Sequence, residues 1–374
     1  MDDSHLRQCL LLHSIPGLKD AQLCALLLHY GSPAAICASN THEWRALGVE
    51  RAVRASARLA LRLGYHPRAA ADIDKQLELL QRSHACILAV SDAAYPPLLR
   101  AIHDPPPLLY LRGDADLLQQ AQLAVVGSRR ATPAGLRATQ ELALAAARSG
   151  LVITSGLAIG VDGAAHRAAL DAQCPTIAVM ATGIEQIYPV RHRQLGDVIP
   201  VSGCLVTEFP PGMPPLRENF PRRNRVVTGL ALGTLVVEAA LPSGSLISAG
   251  SALEQGREVF ALPWSIHHQG GAGCLQLLKD GAHLVLSFED ILDELGPIRG
   301  LQRDLILPEP GSSEACDELE PELSRLLHLV GYEVIGARDL VQLSALPVAR
   351  IMAGLSMLEL RGLVSRCEGG YVRR

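Results

Sequence analysis

The sequence predicts an α/β protein built on an extended Rossmann-like, doubly wound sheet, with a helical domain before it and a winged-helix-like domain after it. Between residues 85 and 288, short apolar runs alternate with helical stretches, which is typical of a parallel sheet with crossover helices. The preceding segment has only helical periodicity and short loops. The chain ends in helical stretches followed by two β-prone pieces around a glycine pair.

The composition limits the class of protein. The chain has 374 residues, of which 48% are hydrophobic, and its formal net charge is −4. These values allow two or three folded domains and exclude both wholesale disorder and a histone-like basic coat. No apolar run reaches the ~18 residues that a membrane span needs, and the start is acidic and polar, so we expect a cytoplasmic protein without membrane contact. The nine cysteines form no CxxC pair, so neither a zinc module nor a disulfide framework is expected.

Four segments follow from these patterns. Residues 1–70 predict a helical domain of the SAM or helix-hairpin-helix type, because the turn Ile15–Leu18 joins two apolar helices. That turn can hold a DNA phosphate or can be an ordinary packing unit. Residues 71–295 form the Rossmann-like domain, residues 296–320 read as a linker rich in Pro, Gly, Ser and acidic residues, and residues 321–374 form the winged-helix-like domain.

Six strands are predicted within the Rossmann-like domain. They are Leu123–Val126, Val152–Thr154, Thr176–Met180, Cys204–Thr207, Thr234–Val237 and Val259–Ala261, with helices at Ala134–Arg148 and Asp162–Ala172. Ligands of such sheets bind at the carboxyl ends of the strands, so function is expected in the loops that follow them.

The loops after the first two of these strands are rich in small residues. Gly127, Ser128 and Arg129 combine backbone amides, a hydroxyl and a guanidinium that together suit a phosphate. Ser155 and Gly156 are predicted to extend the same anion pocket. Further on, Asp162 and His166 lie one helical turn apart; they can form a metal or acid–base pair, or a helix-start Asp beside a packed His.

A basic cluster follows further along the chain. Arg217, Phe220, Arg222, Arg223 and Asn224 belong to a stretch with four arginines in nine residues. Cations along phosphates beside an aromatic ring that stacks on a base are typical of single-strand binding. The alternative is a solvated loop in which the phenylalanine fills the core.

The loop after the fifth strand adds another small-residue turn, Ser243, Gly244 and Ser245. The chain has neither a GxGxxG fingerprint nor a GxxxxGK[ST] loop, so NAD and ATP are disfavoured and no cofactor is expected. It also lacks a GxSxG elbow, which disfavours serine hydrolysis.

In this order, the motifs resemble the DNA-processing protein A family (DprA, also called Smf). The resemblance rests on stretches spread over more than half of the chain: YPPLL, AVVGSRRAT, SGLAIGVDGAAHRAAL, TIAVMATGIEQIYP, FPRRNRVVTGL, SGSLISA and GREVFALP. It departs from the family pattern at Ala181-Thr182-Gly183, at Leu262-Pro263-Trp264 and after Cys274, and these positions lie in loops near strand ends.

The resemblance implies a non-catalytic protein that binds and protects incoming single-stranded DNA and loads the recombinase RecA during natural transformation. It also implies a homodimer formed through the Rossmann-like domain. Gly127, Ser128 and Arg129 match the family's phosphate motif, and Arg217 stands where the family places a DNA-contacting lysine.

Two alternatives are considered. The fold is similar to that of the LOG phosphoribohydrolases, but the loop at Pro242–Ser248 lacks their second glycine pair and glutamate. A transcription factor acting through the tail domain would need a dense basic recognition helix, whereas Arg350, Arg361 and Arg366 are dispersed.

Overall fold

A computed structural model describes residues 3–67 and 72–295 and, with gaps, residues 323–373. The chain divides into two compact units, Met1–Ile306 and Leu307–Arg374. The predicted boundary at residue 70 and the predicted linker at residues 296–320 lie outside the described residues, so both remain predictions.

The N-terminal region is helical where it is described, as the sequence predicts. Its helices are α1 (Asp3–His13), α2 (Asp20–Tyr30), α3 (Pro33–Ala38) and α4 (Arg51–Leu63), with a 3₁₀ turn at Glu43–Leu47. A further helix, α5 (Ile73–Arg82), lies in the segment predicted from the sequence to belong to the Rossmann-like domain. The apolar faces of these helices enclose Leu26, Ile36 and Trp44, which are fully buried. Helix α3 begins where a capping residue and a proline meet, because the Ser32 hydroxyl accepts a bond from the Ala35 amide and Pro33 follows it.

A nine-stranded mixed sheet forms the centre of the first unit. Its strands are β1 (Cys86–Ala89), β2 (Leu108–Gly113), β3 (Gln122–Val126), β4 (Val152–Ser155), β5 (Thr176–Val179), β6 (Cys204–Thr207), β7 (Gly233–Val236), β8 (Glu258–Ala261) and β9 (His283–Leu284). They lie in the order β1-β2-β6-β5-β4-β3-β7-β8-β9, and all neighbours from β6 to β9 are parallel. The six predicted strands are therefore confirmed, each within one residue at either end.

Helices cover both faces of the sheet. They are α6 (Pro97–Arg100), α7 (Pro133–Arg148), α8 (Val161–Asp171), α9 (Arg193–Ser202), α10 (Asn219–Leu230), α11 (Gly244–Glu254) and α12 (Ala272–Lys279). Alternate residues of β3 point to opposite faces, so Leu123 and Val125 pack in the cluster of α7 and α8, whereas Ala124 and Val126 pack in that of α10 and α11. The doubly wound fold class is confirmed.

The sequence did not predict the antiparallel edge. Strand β2 pairs antiparallel with both β1 and β6, and the N-terminal helices pack against this edge. There His13 Nδ1 lies 2.8 Å from the buried hydroxyl of Tyr110. Because β1 and β2 are short apolar runs without a crossover helix between them, they do not show the alternation that identified the other strands.

The second unit contains α13 (Val348–Leu360), β10 (Val364–Cys367) and β11 (Gly370–Arg373). The two strands form an antiparallel hairpin, and Ile335 bridges to Tyr371 beside it. Ile351, Leu355 and Leu358 of α13 are fully buried in the small core of this unit. A helix followed by a hairpin agrees with the winged-helix prediction.

In the ranges that the structure describes, no helix has both the length and the apolar character to cross a membrane.

Candidate nucleic-acid interface

Three turns meet at the carboxyl edge of the sheet. Strand β3 pairs with β4 on one side and with β7 on the other, so the segments after these three strands are neighbours. They are residues 127–132 before α7, residues 156–160 before α8, and residues 237–243 before α11. The sequence predicts this convergence from the strand ends alone, because parallel neighbours end at the same edge.

The first two turns are held together by two glycines. A Cβ on Gly127 would lie 2.5 Å from Val161 Cγ2, and one on Gly160 would overlap the Ser128 carbonyl. Gly160 also has a φ of +87°, which L side chains rarely adopt. The Val161 amide donates to the Ser128 carbonyl across this contact at 3.3 Å. The approach of the two turns therefore requires glycine at both positions.

A buried carboxylate fixes the third turn to the first. Glu238 is 2% exposed, and its Oε2 accepts bonds from the Thr132 amide at 3.0 Å and the Thr132 hydroxyl at 2.9 Å. Its backbone carbonyl accepts a bond from the Ser128 amide at 2.7 Å. Since Thr132 also caps α7, Glu238 sets the start of that helix and the path of the Gly-Ser-Arg turn together.

An open cleft of about 790 Å³ lies between the turns and the N-terminal end of α10. Most of the residues predicted from sequence line this cleft: Gly127, Ser128, Arg129, Arg217, Phe220, Arg223, Asn224, Ser243, Gly244 and Ser245. A side pocket of about 310 Å³ adjoins it and adds Gly156.

The charge of the cleft is positive. Arg129, Arg130, Arg217 and Arg223 line it, against Asp162 as the acidic group of the lining. Arg223 is 5% exposed, and its Nε has no hydrogen-bond partner among the described residues. Burial lowers the pKa of Arg223; Asp162 opposes this effect and Arg129 adds to it. Because Nε is itself enclosed by protein, an anion in the cleft would meet Arg223 through the part of the guanidinium that lines the cleft.

Aromatic rings lie next to these cations. Arg129 Cζ is 5.4 Å from the centroid of the Phe220 ring, and the Tyr188 ring centroid is 5.6 Å from that of Phe220. Phe220 is partly exposed and Tyr188 is 43% exposed. The arrangement offers a guanidinium and two ring surfaces within one nucleotide's reach, so the alternative of a phenylalanine buried in the core does not hold.

The backbone amides of the turns contribute less to anion binding than the sequence predicts. The amides of Ser128, Arg130 and Ser245 donate to the Glu238 carbonyl, the Ser128 hydroxyl and the Ser243 hydroxyl, respectively. The Gly156 amide donates to Asp162 Oδ2 at 3.1 Å. Buried N–H groups require partners, and these find theirs within the protein. The guanidinium groups are thus the principal anion-binding groups of the cleft.

Two predicted residues lie away from the cleft. Ser155 is fully buried, and its hydroxyl donates to the Val125 carbonyl at 2.6 Å, because the last residue of β4 points into the sheet. Arg222 forms ion pairs with Asp20 of α2 and, at 3.1 Å, with Glu208. Neither residue lines the cleft, so the structure does not bring these two predicted residues together with the others.

The opposite face of α10 is bound to acidic groups. Glu208 is buried, and it also accepts a 2.5 Å bond from Arg225, which in turn lies 3.4 Å from Asp104. Burial raises the pKa of Glu208, while Arg225 and Arg222 oppose this effect. Asp20 is the first residue of α2, which begins just after the predicted helix-hairpin-helix turn. Because Asp20 pairs with Arg222, this helix start packs against α10. That contact favours the interpretation of the turn as an ordinary packing unit.

Asp162 and His166 have structural roles. Asp162 Oδ2 accepts the amides of Gly156 and Ala158, and His166 Nδ1 lies 2.7 Å from the Thr176 hydroxyl with the ring fully buried. Across the described residues, no group of three or more His, Cys, Asp or Glu side chains could hold a metal ion. The second interpretation from sequence, a helix-start Asp beside a packed His, is confirmed.

Sequence reasoning missed three basic or aromatic residues of the site. Arg130 lines the cleft and the side pocket, Tyr188 lines both, and Arg191 lines the side pocket. Arg130 directly follows a predicted site residue, and Tyr188 and Arg191 lie in the loop after β5. All three positions satisfy the rule that ligands meet the carboxyl ends of strands, and this rule was the available signal.

Fold and site together define a doubly wound α/β protein with a cationic, aromatic-lined cleft at the carboxyl edge of its sheet. The chain belongs to the DprA family: residues 86–296 match the family model for DNA recombination-mediator protein A, and residues 310–370 match that for the DprA winged helix domain.

Curated relatives agree with this assignment. The chain is 42% identical over 304 residues to Protein Smf of Escherichia coli, covering 80% of each chain. It is 43% identical over 206 residues to DNA processing protein DprA of Streptococcus pneumoniae, covering 55% of this chain and 73% of the relative.

Solved structures are similar as well. The X-ray structure of DprA from Streptococcus pneumoniae matches with a TM-score of 0.68 and 35% identity, covering 77% of this chain and 97% of the other. A Helicobacter pylori DprA structure, described as giving insights into a single-stranded DNA binding mode, matches with a TM-score of 0.52 and 30% identity, covering 58% and 98%.

Proposed function

We propose that this protein binds single-stranded DNA in the cleft and acts as a recombination mediator. The observation that carries the proposal is the group of Arg129, Arg217 and Arg223 that lines the cleft together with the Phe220 ring, over which Arg129 lies. The solved Helicobacter pylori DprA structure is described in terms of its single-stranded DNA binding mode, which supports single-stranded DNA as the ligand here.

The shape of the cleft favours single strands over duplex. Phe220 and Tyr188 present ring surfaces beside the arginines, and a base can stack on them only when it is unpaired and unstacked from its own helix. The cleft has no planar array of side-chain amides of the kind that reads base edges in a groove. Binding is therefore expected to depend on salt and to be nearly independent of sequence.

The wider role rests on family membership. We propose that the protein protects incoming single strands in the cytoplasm, loads RecA on them and works as a homodimer. Nucleation of RecA filaments on a strand pre-coated with this protein, compared with a bare strand, tests the loading step. Sedimentation of the intact chain tests the dimer.

We also propose that the protein is not an enzyme. Asp162, the acidic group of the cleft lining, already accepts the Gly156 and Ala158 amides through Oδ2, which favours a structural role for this carboxylate. Burial raises the pKa of Asp162, and Arg223 opposes this effect. The phosphoribohydrolase alternative predicts release of free base from a nucleoside monophosphate, and detection of that product would overturn the proposal.

The central experiment compares oligo-dT with the matching duplex at two salt concentrations. The Arg129→Ala/Arg217→Ala variant should lose most single-strand affinity and part of the salt dependence, since each lost phosphate contact lowers the slope of log K against log salt by about 0.7. Arg137→Ala/Arg148→Ala is the matched control, because both arginines are exposed on α7 outside the cleft. Equal losses in the two variants, or no loss in the first, would contradict the proposal.

A further inference from the structure

Helix α4 carries a row of arginines that the cleft does not use. Arg51, Arg54, Arg58 and Arg62, here called the arginine stripe, are spaced by three, four and four residues. At 100° per residue they fall within an arc of about 80° on one side of the helix. The opposite side carries Val53, Ala57 and Ala60, which are buried in the N-terminal core.

The charge of this stripe is uncompensated. Among the described residues, no carboxylate lies within 4.0 Å of any of its four guanidinium groups. Arg54 donates to the His42 carbonyl at 3.3 Å and Arg58 to the Thr41 hydroxyl at 3.4 Å, and both partners are neutral. By contrast, Arg7 and Arg82 of the same region pair with Asp74 and Glu78.

Helix stability does not explain the stripe. At the start of α4 the N-cap Glu50, directly before Arg51, complements the positive end of the helix dipole. Arg54, Arg58 and Arg62 are like charges separated by four residues, an arrangement that weakens an isolated helix. An anionic ligand along this side would relieve this repulsion.

The flanking residues indicate which polyanion fits. Leu59 and Leu63 are about two-fifths exposed beside the stripe, and Tyr65 just after the helix is 54% exposed. The first and last arginines are ~16 Å apart along the axis, so the stripe can follow several phosphates of one strand. A bilayer is a poorer partner, because the apolar side of α4 is buried in the protein and is not available for insertion.

We propose that the arginine stripe is a second contact surface for the phosphodiester backbone of single-stranded DNA, separate from the cleft. This inference rests on the proposed function of the cleft and extends it to the N-terminal helical region. The N-terminal helical region would then contact the part of a long strand that extends beyond the cleft.

The test uses the full chain with Arg51→Gln/Arg62→Gln, since neither side chain has a hydrogen bond to any other described residue, whereas Arg54 and Arg58 do. The matched control is Arg7→Gln/Arg82→Gln, which removes the same charge from paired arginines of the same region. Affinity is measured for oligo-dT of about 6 nucleotides, within the range that one site holds, and for a strand several times longer. Anionic phospholipid vesicles serve as a further probe.

The stripe variant should bind the long strand about three- to tenfold more weakly, with the slope of log K against log salt reduced by about 1.4 for two lost contacts. Its binding of the short strand should equal that of wild type, and the control should match wild type on both. If the stripe variant keeps its long-strand affinity and salt slope while the Arg129/Arg217 variant loses binding, the proposal for the arginine stripe is overturned and the proposal for the cleft is not. A loss of vesicle binding with unchanged DNA binding would overturn it in favour of a membrane contact. Unchanged binding in the cleft variant would instead overturn the proposed function.

Discussion

Arg222 of α10 forms an ion pair with Asp20, the first residue of α2, although 202 positions separate them in the chain. One turn of the same helix presents Phe220 and Arg223 to the cleft on its other side. The N-terminal helical region thus holds the outer face of the helix whose inner face forms a wall of the candidate interface.

Removing this ion pair should weaken DNA binding slightly. We expect Asp20→Asn to lower single-strand affinity by about two- to fivefold, because a half-exposed pair contributes no more than ~1 kcal/mol. Asp74→Asn, which removes the exposed pair with Arg7 at a distance from α10, is the control. Fluorescence anisotropy with labelled oligo-dT measures both, and equal affinities would show that α10 does not depend on Asp20.

Adding one methyl group behind Arg223 should have a larger effect. A Cβ on Gly156 would overlap the Arg223 guanidinium, so Gly156→Ala is expected to displace that group and lower single-strand affinity at least tenfold. Gly250→Ala on α11 is the control, because its new Cβ would meet nothing within 4 Å and Gly250 does not line the cleft, so this variant should bind like wild type. A similar affinity for the two variants would argue against a ligand role for Arg223.

The Phe220 ring should contribute through stacking. Phe220→Ala is expected to cost ~1–3 kcal/mol of single-strand binding free energy, the range for one base on an aromatic ring, while Phe220→Tyr should retain most of it. Urea denaturation of both variants separates a loss of stacking from a loss of folding. Full affinity in a folded Phe220→Ala protein would mean that no base stacks there.

Acid should destabilise the fold through His166. Burial, with further contributions from His192, Arg223 and Arg167, lowers the pKa of His166 to about 3, against 6.5 for an exposed histidine. Between pH 6.5 and pH 3 the unfolded chain therefore binds a proton at His166 that the folded state does not bind. The contribution of His166 to the free energy of unfolding is present above pH 6.5 and is lost as the pH falls toward 3. Between pH 7 and pH 5 the loss from this group is ~2 kcal/mol.

The check is the free energy of unfolding in urea at both pH values for wild type and His166→Gln. The glutamine variant starts from a lower stability, but it should lack the part of the pH dependence that His166 contributes. An identical pH dependence in the two proteins would assign the acid sensitivity to other groups.

Much of the site could be predicted because strand ends and glycine turns are local features. The side of a helix on which each residue lies could not be predicted in the same way. The stretch from Arg217 to Arg225 was interpreted as one basic cluster, yet α10 begins inside it and turns adjacent arginines to opposite sides, so Arg223 lines the cleft and Arg222 meets Glu208. The position of Ser155 could not be predicted for a related reason, since the pleat of β4 turns its hydroxyl toward the Val125 carbonyl.

Tyr188 was not predicted as a site residue because Phe220, which it contacts, lies 32 positions later in the sequence. Its loop follows β5, and only the fold brings it to Phe220. The antiparallel pairing of β1 and β2 also depends on tertiary contacts, here with the N-terminal helices, which no local pattern reports.

The central position of β3 has a consequence for how this protein is made. Its partners on the two sides, β4 and β7, are far apart along the chain, so the three walls of the cleft are synthesised at widely separated times. While the ribosome has made only the first two turns, the nascent chain has an incomplete site without α10 or α11. The capacity to capture a strand should therefore arise in a single late step, and a truncation that removes β7 should abolish it instead of halving it.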